Sequence, residues 1–192
     1  MRTTSSSALP YEEDARRVLE ALPKRFGKYG LTLHPEKTRL VPFRRPCTRA
    51  NPAAKQAEPS PGTFDLLGFR HYWARRETGA WVVRHKTAPS RFRRALRRIA
   101  QWCRANRHQP IPDQHRTLWQ KMRGHNAYYG ITGNSKALQR FRLGVTRLWR
   151  KWLSRRHRRG PFPWPRFQAL LQRYPLPPPI VVHSVYRPTA NP

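Results

Sequence analysis

Residues 121–134 read Lys-Met-Arg-Gly-His-Asn-Ala-Tyr-Tyr-Gly-Ile-Thr-Gly-Asn, a helical pattern that runs into a glycine-rich corner. One face of the helix is predicted to pack in a core, since suitable side chains recur at helical spacing at Leu118, Met122, Asn126 and Tyr129. Gly130 and Gly133 are predicted to end this helix, and Asn134-Ser135 to cap the next one through side-chain oxygens. The stretch therefore predicts a helix, a tight corner and a second helix.

Five polar or aromatic side chains enter this corner: Arg123, His125, Asn126, Tyr128 and Tyr129. They combine flat faces for stacking with hydrogen-bonding groups, which suits irregular or single-stranded RNA. The alternative is that the two tyrosines fill the core while Arg123 and His125 are solvated. The pattern leaves both interpretations open.

The charge of the chain indicates a polyanionic partner. Its 192 residues include 40 Lys and Arg against 9 Asp and Glu, a net charge of +31, and such self-repulsion destabilises an isolated compact state. Seven Trp and seven Tyr interleaved with the arginines favour nucleic acid over a membrane surface. Ribosomal and packaging proteins have similar compositions, and specificity does not follow from charge.

Several classes of protein are not expected. No apolar run approaches the roughly eighteen residues that cross a bilayer, and the N-terminus lacks the apolar core of a signal peptide. Cys47 and Cys103 match no zinc or disulfide framework, and Cys103 with His108 and His115 lacks further ligands at a known spacing. We therefore predict a cytoplasmic protein, associated with ribonucleoprotein, with no metal site and no membrane contact.

The N-terminal half is predicted to be mixed. A helix over 11–28, interrupted by Pro23, precedes strands at 31–33 and 38–43, a flexible loop at 44–62, a strand at 64–69 and a hairpin of 71–73 with 81–84.

The C-terminal half is predicted to be helical and basic. Besides the stripe described above, two stripes are predicted, one through Phe92, Leu96, Ile99 and Cys103, the other through Leu138, Phe141, Val145, Leu148 and Trp152. Three such helices can share one core, and a short helix over 164–173 follows. Arginines ring the two stripes with almost no acids nearby, so phosphate contacts are predicted from Arg91, Arg94, Arg97, Arg98, Arg140 and Arg147.

The corner motif, Arg-Gly-His-x-x-Tyr-Tyr-Gly-x-x-Gly-Asn ending at Asn134, resembles the signature of domain X, the thumb or maturase domain of group II intron reverse transcriptases. Three further segments resemble this family in the same order. Leu-His-Pro-Glu-Lys-Thr-Arg-Leu over 33–40 resembles a palm segment, which implies that Lys37, beside Thr38, lies near nucleotide phosphates; a solvated lysine is the alternative. Phe-Asp-Leu-Leu-Gly-Phe over 64–69 resembles the primer grip, with Leu66 replacing an aromatic and with Leu67, Gly68 and Phe69 as the grip residues. The last segment, Trp164-x-x-Phe167 with Tyr-Pro-Leu-Pro-x-Pro over 174–179, resembles the ending of bacterial intron-encoded proteins.

The resemblance implies an α+β fold, with a palm remnant containing β-hairpins followed by a helical thumb of the three-helix-bundle type. The domains implied are 1–10, unrelated to the family; 11–86, the palm remnant; 87–187, domain X; and 188–192, a tail. It also implies RNA contact by Asn134 together with the other corner residues.

One departure from the family concerns catalysis. Reverse transcriptases hold two metal ions with paired carboxylates of a Tyr-Ala-Asp-Asp strand, and this sequence lacks that motif. No bound cofactor is therefore expected, Mg²⁺ belonging to the intact polymerase. One permitted set of codons for residues 1–10, preceded by a T and shifted by one base, encodes Tyr-Ala-Asp-Asp-Phe-Val-Val-Gly-Phe-Ala, so we hypothesise that this N-terminus is the catalytic strand translated out of frame.

The function expected from the resemblance is RNA binding that helps a group II intron to fold and splice, without polymerase activity by this chain alone. The partner expected is the intron RNA, with a DNA target or a missing N-terminal fragment as further candidates. Three alternatives stay open: an RNA-directed DNA polymerase by similarity, a relic with only nonspecific nucleic-acid binding, and an unrelated basic structural protein.

Overall fold

The computed structural model describes residues 11–34, 38–46, 62–156 and 162–183. Over these residues it has five helices and one antiparallel sheet with strand order β1-β2-β3. The helices are α1 (Glu12–Gly27), α2 (Pro89–Ala105), α3 (Ile111–Tyr129), α4 (Ser135–Ser154) and α5 (Trp164–Arg173). The strands are β1 (Phe64–Leu66), β2 (Phe69–Arg75) and β3 (Trp81–Thr87). The predicted α+β class with a helical C-terminal part is confirmed.

The described residues divide into two compact units. One takes the described chain up to Leu67 together with His71–Val83, and the other takes Gly68–Arg70 and the described chain from Arg84 onward. We call them the N-terminal and the C-terminal unit.

In the N-terminal unit, α1 begins with an acidic first turn, which complements the helix dipole. Pro23 lies inside α1, and the helix continues to Gly27, so the predicted interruption is wrong. No residue of α1 is buried, so water can satisfy the Leu19 carbonyl that Pro23 leaves without its helical partner.

The strands predicted at 31–33 and 38–43 are not formed over 31–34 and 38–46. The backbone N–H and the hydroxyl of Thr38 both donate to the His34 carbonyl at 3.0 Å, so these groups bond locally and do not form a strand ladder. Leu31 and Leu40 are exposed. Among the described residues, no strand pairs with either segment, and a ladder requires such a partner. Most of the predicted loop at 44–62 lies outside the described residues.

The hairpin prediction is confirmed, with strands longer than expected, and Gly79 at positive φ completes its turn. The single strand predicted at 64–69 is wrong, because the chain turns at Leu67 and Gly68 between β1 and β2. Both residues have positive φ, 50° and 84°, as a two-residue hairpin turn of the I′ kind requires.

The core of the C-terminal unit forms where the stripes of α2, α3 and α4 meet. Its buried members include Ile99 and Cys103 of α2, Leu118 and Met122 of α3, and Phe141, Val145 and Trp149 of α4. The stripe predicted for α4 is correct as far as Val145, but Trp149 and Leu153 continue it in the buried positions instead of Leu148 and Trp152, which are half-buried. Trp149 contacts the Phe167 ring of α5, and its Nε1 donates to Oε1 of Gln114 at 3.0 Å, so partners outside α4 select this continuation of the stripe.

The helix α5 was predicted with its observed bounds, and it adds Phe167, fully buried, to this core. The chain then runs extended along α3, and we call residues 175–183 the strap. At one end of the strap the Pro175 carbonyl lies 2.9 Å from Nε2 of His115, and near the other the backbone N–H groups of Val182 and His183 donate to the Gly130 carbonyl at 2.7 and 2.9 Å.

Candidate nucleic-acid interface

The predicted helix–corner–helix forms as expected. Helix α3 ends at Tyr129, Gly130 follows it, and Gly133 adopts φ of 88° before α4 begins. A Cβ at Gly130 would overlap the Asn126 carbonyl and would lie 2.6 Å from the Ile180 carbonyl of the strap. The corner is therefore closed on both sides by backbone, and only glycine fits at Gly130.

The prediction that the Asn134 side chain caps α4 by a hydrogen bond is wrong. Asn134 occupies the N-cap position of α4, but its side chain makes no cap hydrogen bond. Instead Oδ1 accepts from the Thr87 backbone N–H at 3.0 Å, while Nδ2 donates to the Thr87 hydroxyl and to the Tyr129 carbonyl, both at 2.9 Å. Asn134 is 1% exposed. It links the corner to the end of β3, and a sequence pattern gave no sign of a partner 47 residues away.

Asn126, also predicted to face RNA, is buried against the strap. Its Nδ2 donates to the Pro178 carbonyl at 3.0 Å. Both asparagines of the motif thus have protein partners that hold the corner.

His125 packs among aromatic rings. Its ring stacks on Phe141 with centroids 3.7 Å apart and contacts Tyr129 at 4.6 Å. Burial lowers the pKa of His125 to about 4, so the ring is neutral at physiological pH. Among the described residues its buried Nε2 has no hydrogen-bond partner.

The two tyrosines of the corner differ in exposure. Tyr128 is 54% exposed and stacks on Phe69 at 5.9 Å, whereas Tyr129 is half-buried. Burial, and then the neighbouring Tyr128, raise the pKa of Tyr129. A Cβ at Gly68 would lie 3.0 Å from the Tyr129 hydroxyl. Gly68 and Phe69, predicted as grip residues, are thus brought to the corner, while Leu67 belongs to the N-terminal unit.

A cleft of about 370 Å³ opens beside the corner. Cationic side chains, His125 and Tyr129 surround an apolar floor; the lining residues are Arg91, Arg94, Ala95, Arg98, Ile99, Lys121, His125, Tyr129 and Phe141. Because Arg91, Arg94 and Arg98 are at positions i, i+3 and i+7 of α2, they share one face of that helix. The lining contains four cations and no carboxylate, a charge distribution that favours an anionic ligand.

The other predicted arginines lie outside the cleft lining. Arg97, Arg140 and Arg147 are exposed, and the guanidinium of Arg140 lies over the Phe92 ring at 5.7 Å. Arg123 lies over the Trp119 ring at 5.2 Å. These side chains present positive charge on the surface.

The predicted palm residues Lys37 and Thr38 are not described with the C-terminal unit. Thr38 belongs to the N-terminal unit, and Lys37 lies outside the described residues.

The sequence interpretation missed Lys121 and the floor residue Ala95. Lys121 precedes His125 by one helical turn, so helical spacing could have identified it. No sequence pattern could have identified Ala95, because its place in the cleft lining follows only from how the helices pack.

Burial raises the pKa of the Cys103 thiol to about 12, so this residue is an inert part of the core. Within the described ranges, no group of three or more His, Cys, Asp or Glu residues could hold a metal ion. In that same part of the chain, no helix is long and apolar enough to cross a membrane.

Comparison with known proteins finds a similarity for part of the C-terminal unit. Residues 92–172 match the family model described as group II intron, maturase-specific domain. No curated protein and no solved structure matches the chain. The matched range covers less than half of the chain, but it contains the whole corner and all of the cleft lining except Arg91. Residues 92–172 are therefore similar to the group II intron maturase-specific domain, and this match fits a maturase C-terminal fragment.

Proposed function

We propose that this protein binds group II intron RNA through its C-terminal unit and thereby helps the intron to fold for splicing. The maturase-specific domain supports a maturase-type function and an association with group II intron RNA in general. The cationic cleft beside the corner is the observation that supports direct RNA contact by named residues.

The interface that we propose has two parts. Arg91, Arg94, Arg98 and Lys121 contact phosphates at the cleft, where His125 and Tyr129 also offer their rings. Tyr128, whose ring contacts that of Tyr129, offers a further exposed ring. Exposed arginines, among them Arg97, Arg123, Arg140 and Arg147, add sequence-independent attraction around this site. Asn126 and Asn134 act indirectly, by holding the corner that presents these groups.

We also propose that this chain makes no DNA by itself. Its sequence lacks the Tyr-Ala-Asp-Asp motif, and its one run of adjacent acidic residues, Glu12, Glu13 and Asp14, lies in the first turn of α1, a helix with no buried residue. Primer extension by the purified protein on an RNA template with Mg²⁺ would contradict this part.

Competition binding tests the proposal. Labelled group II intron RNA is bound to the full protein and challenged with an unrelated structured RNA of equal length, at moderate and at high salt. If the protein contacts RNA shape or bases, the intron RNA competes better and the preference survives added salt.

If both RNAs compete equally and binding disappears at high salt, charge alone explains the binding. The protein would then be a relic with only nonspecific nucleic-acid binding. Splicing of the same intron at low Mg²⁺, with and without protein, then measures the assistance directly. No acceleration would contradict the maturase role even where binding is selective.

A further inference from the structure

The cleft of the C-terminal unit has two chemically different parts. Arg91, Arg94, Arg98 and Lys121 provide positive charge, whereas Ala95 and Phe141 contribute apolar surface. A site for phosphate alone needs only the first part, because phosphate oxygens gain nothing from an apolar surface.

From this arrangement we propose that the cleft receives one unpaired nucleotide, whose base enters toward the apolar floor while its flanking phosphates contact the arginines of α2. This inference rests on the proposed RNA-binding function and specifies which element of the RNA this site takes.

The size of the cleft agrees with such a ligand. Its volume of about 370 Å³ lies near the lower end of the roughly 300–1,000 Å³ of small-ligand pockets. The three arginines of α2 span seven residues, about 10 Å along the helix axis, which is long enough to contact phosphates on both sides of one nucleotide.

The chemistry of the walls also favours a base. Bases that leave a stack are held by aromatic and apolar side chains, and Tyr129, His125 and Phe141 form a contiguous ring cluster at the cleft. Because burial keeps His125 uncharged, covering its ring with a base removes no charge from water.

A continuous duplex fits the site less well. Its bases are stacked inside, so it offers the cleft only phosphates and leaves the apolar floor in contact with water. Unpaired nucleotides in bulges and loops carry the same phosphates and also supply a base.

The experiment compares three RNA hairpins: one fully paired, one with a single bulged adenosine, and one with an abasic residue at the same bulge. The abasic and adenosine hairpins have equal charge and nearly equal shape, so their ratio of affinities isolates the base. We expect the full protein to bind the adenosine bulge at least about fivefold more tightly than the abasic bulge, the effect of one base–aromatic stack.

A fourth hairpin carries 2-aminopurine at the bulge. Stacking in the cleft should quench its fluorescence on binding, whereas a base left in water stays bright. Equal affinities for the adenosine and abasic bulges, together with unchanged fluorescence, would overturn the proposal using the unmodified protein alone.

Two variants then test whether the base binds in the cleft. Ala95→Leu fills the cleft without changing charge and should bring the affinity ratio close to one, while Ala127→Leu adds the same side chain at an exposed position of α3 and should leave the ratio unchanged. A ratio that persists in a folded Ala95→Leu protein would place the base elsewhere and contradict the proposal.

The competition experiment with intron RNA distinguishes a failure of the proposed maturase function from a failure of the inference about the unpaired nucleotide. If intron RNA is preferred but the bulge is not, the inference about the nucleotide fails and the maturase function stands. If the bulge is preferred but intron RNA is not, the proposed function fails.

Discussion

Asn134 holds Thr87 by two hydrogen bonds, accepting from its backbone N–H at 3.0 Å and donating to its hydroxyl at 2.9 Å. Both residues are buried, and Asn134 also donates to the Tyr129 carbonyl. One side chain therefore joins the end of β3, the end of α3 and the start of α4. We infer that this link, rather than RNA contact, is the primary role of Asn134.

Asn134→Ala should lower the free energy of unfolding by several kcal/mol, because each buried polar group left without its partner costs about 1–3 kcal/mol. Thr87→Val removes only the hydroxyl and should cost less. Chemical denaturation of both variants and of the double variant measures their coupling. Additive losses would show that the two residues do not act as a pair.

Two glycines of the motif should respond oppositely to alanine. Gly130→Ala should destabilise the protein strongly, since its Cβ would overlap the Asn126 carbonyl and approach the strap. Gly124→Ala places its Cβ in open space inside α3 and should stabilise the protein by about 0.5–1 kcal/mol through helix propensity. Thermal unfolding checks both. A destabilised Gly124→Ala protein would contradict the open surrounding of that glycine.

The stability of the C-terminal unit should fall as pH decreases from about 6.5 to about 4. Burial lowers the pKa of His125 from 6.5 to about 4, so between these values the unfolded chain binds a proton that the folded chain does not. The loss is at most about 1.4 kcal/mol per pH unit and ends below the folded pKa.

His125→Phe keeps an aromatic ring and removes this titration, so its unfolding free energy should depend less on pH across that window. Urea unfolding of both proteins at pH 7 and pH 4.5 measures the difference, and the carboxylates common to both cancel. Equal pH dependence would show that the histidine is not protected by burial.

Arginines inside and outside the cleft should differ in their effect on RNA binding. Arg94→Ala/Arg98→Ala removes two cations from the cleft, and Arg93→Ala/Arg97→Ala removes two from exposed positions of the same helix outside the cleft lining. The first pair should lower the magnitude of the salt dependence by about 0.7–0.9 per lost contact, and the second pair by less. Affinity measured over a range of salt concentrations tests this. Identical slopes would mean that α2 binds RNA without using the cleft.

The sequence predicted the helical part of the fold well, because the amphipathic stripes of α2 and α3 and the glycines after Tyr129 are local signals. It failed at 31–33 and 38–43, where alternation alone could not provide a partner strand, and at Leu67–Gly68, where two residues at positive φ make a turn.

The sequence named candidate residues for RNA contact but could not predict how they are arranged. Arg91, Arg94 and Arg98 were among the candidates, yet only packing shows that they line one cleft together with His125 of another helix. The roles of Asn126 and Asn134 depend on partners 52 and 47 residues away, and no local pattern contains that information.

The strap has a consequence for biosynthesis. Asn126 and Gly130 form hydrogen bonds with residues of the strap, which follow them by about fifty positions. During synthesis the corner therefore cannot close until the strap has also left the ribosome. Contacts of such sequence separation form late, since the intervening chain must first be ordered. Helices α2 and α3 thus emerge with their arginines before the corner between α3 and α4 is complete. Under the proposed function, nascent chains therefore attract RNA by charge alone, and selective recognition requires that the strap has been synthesised.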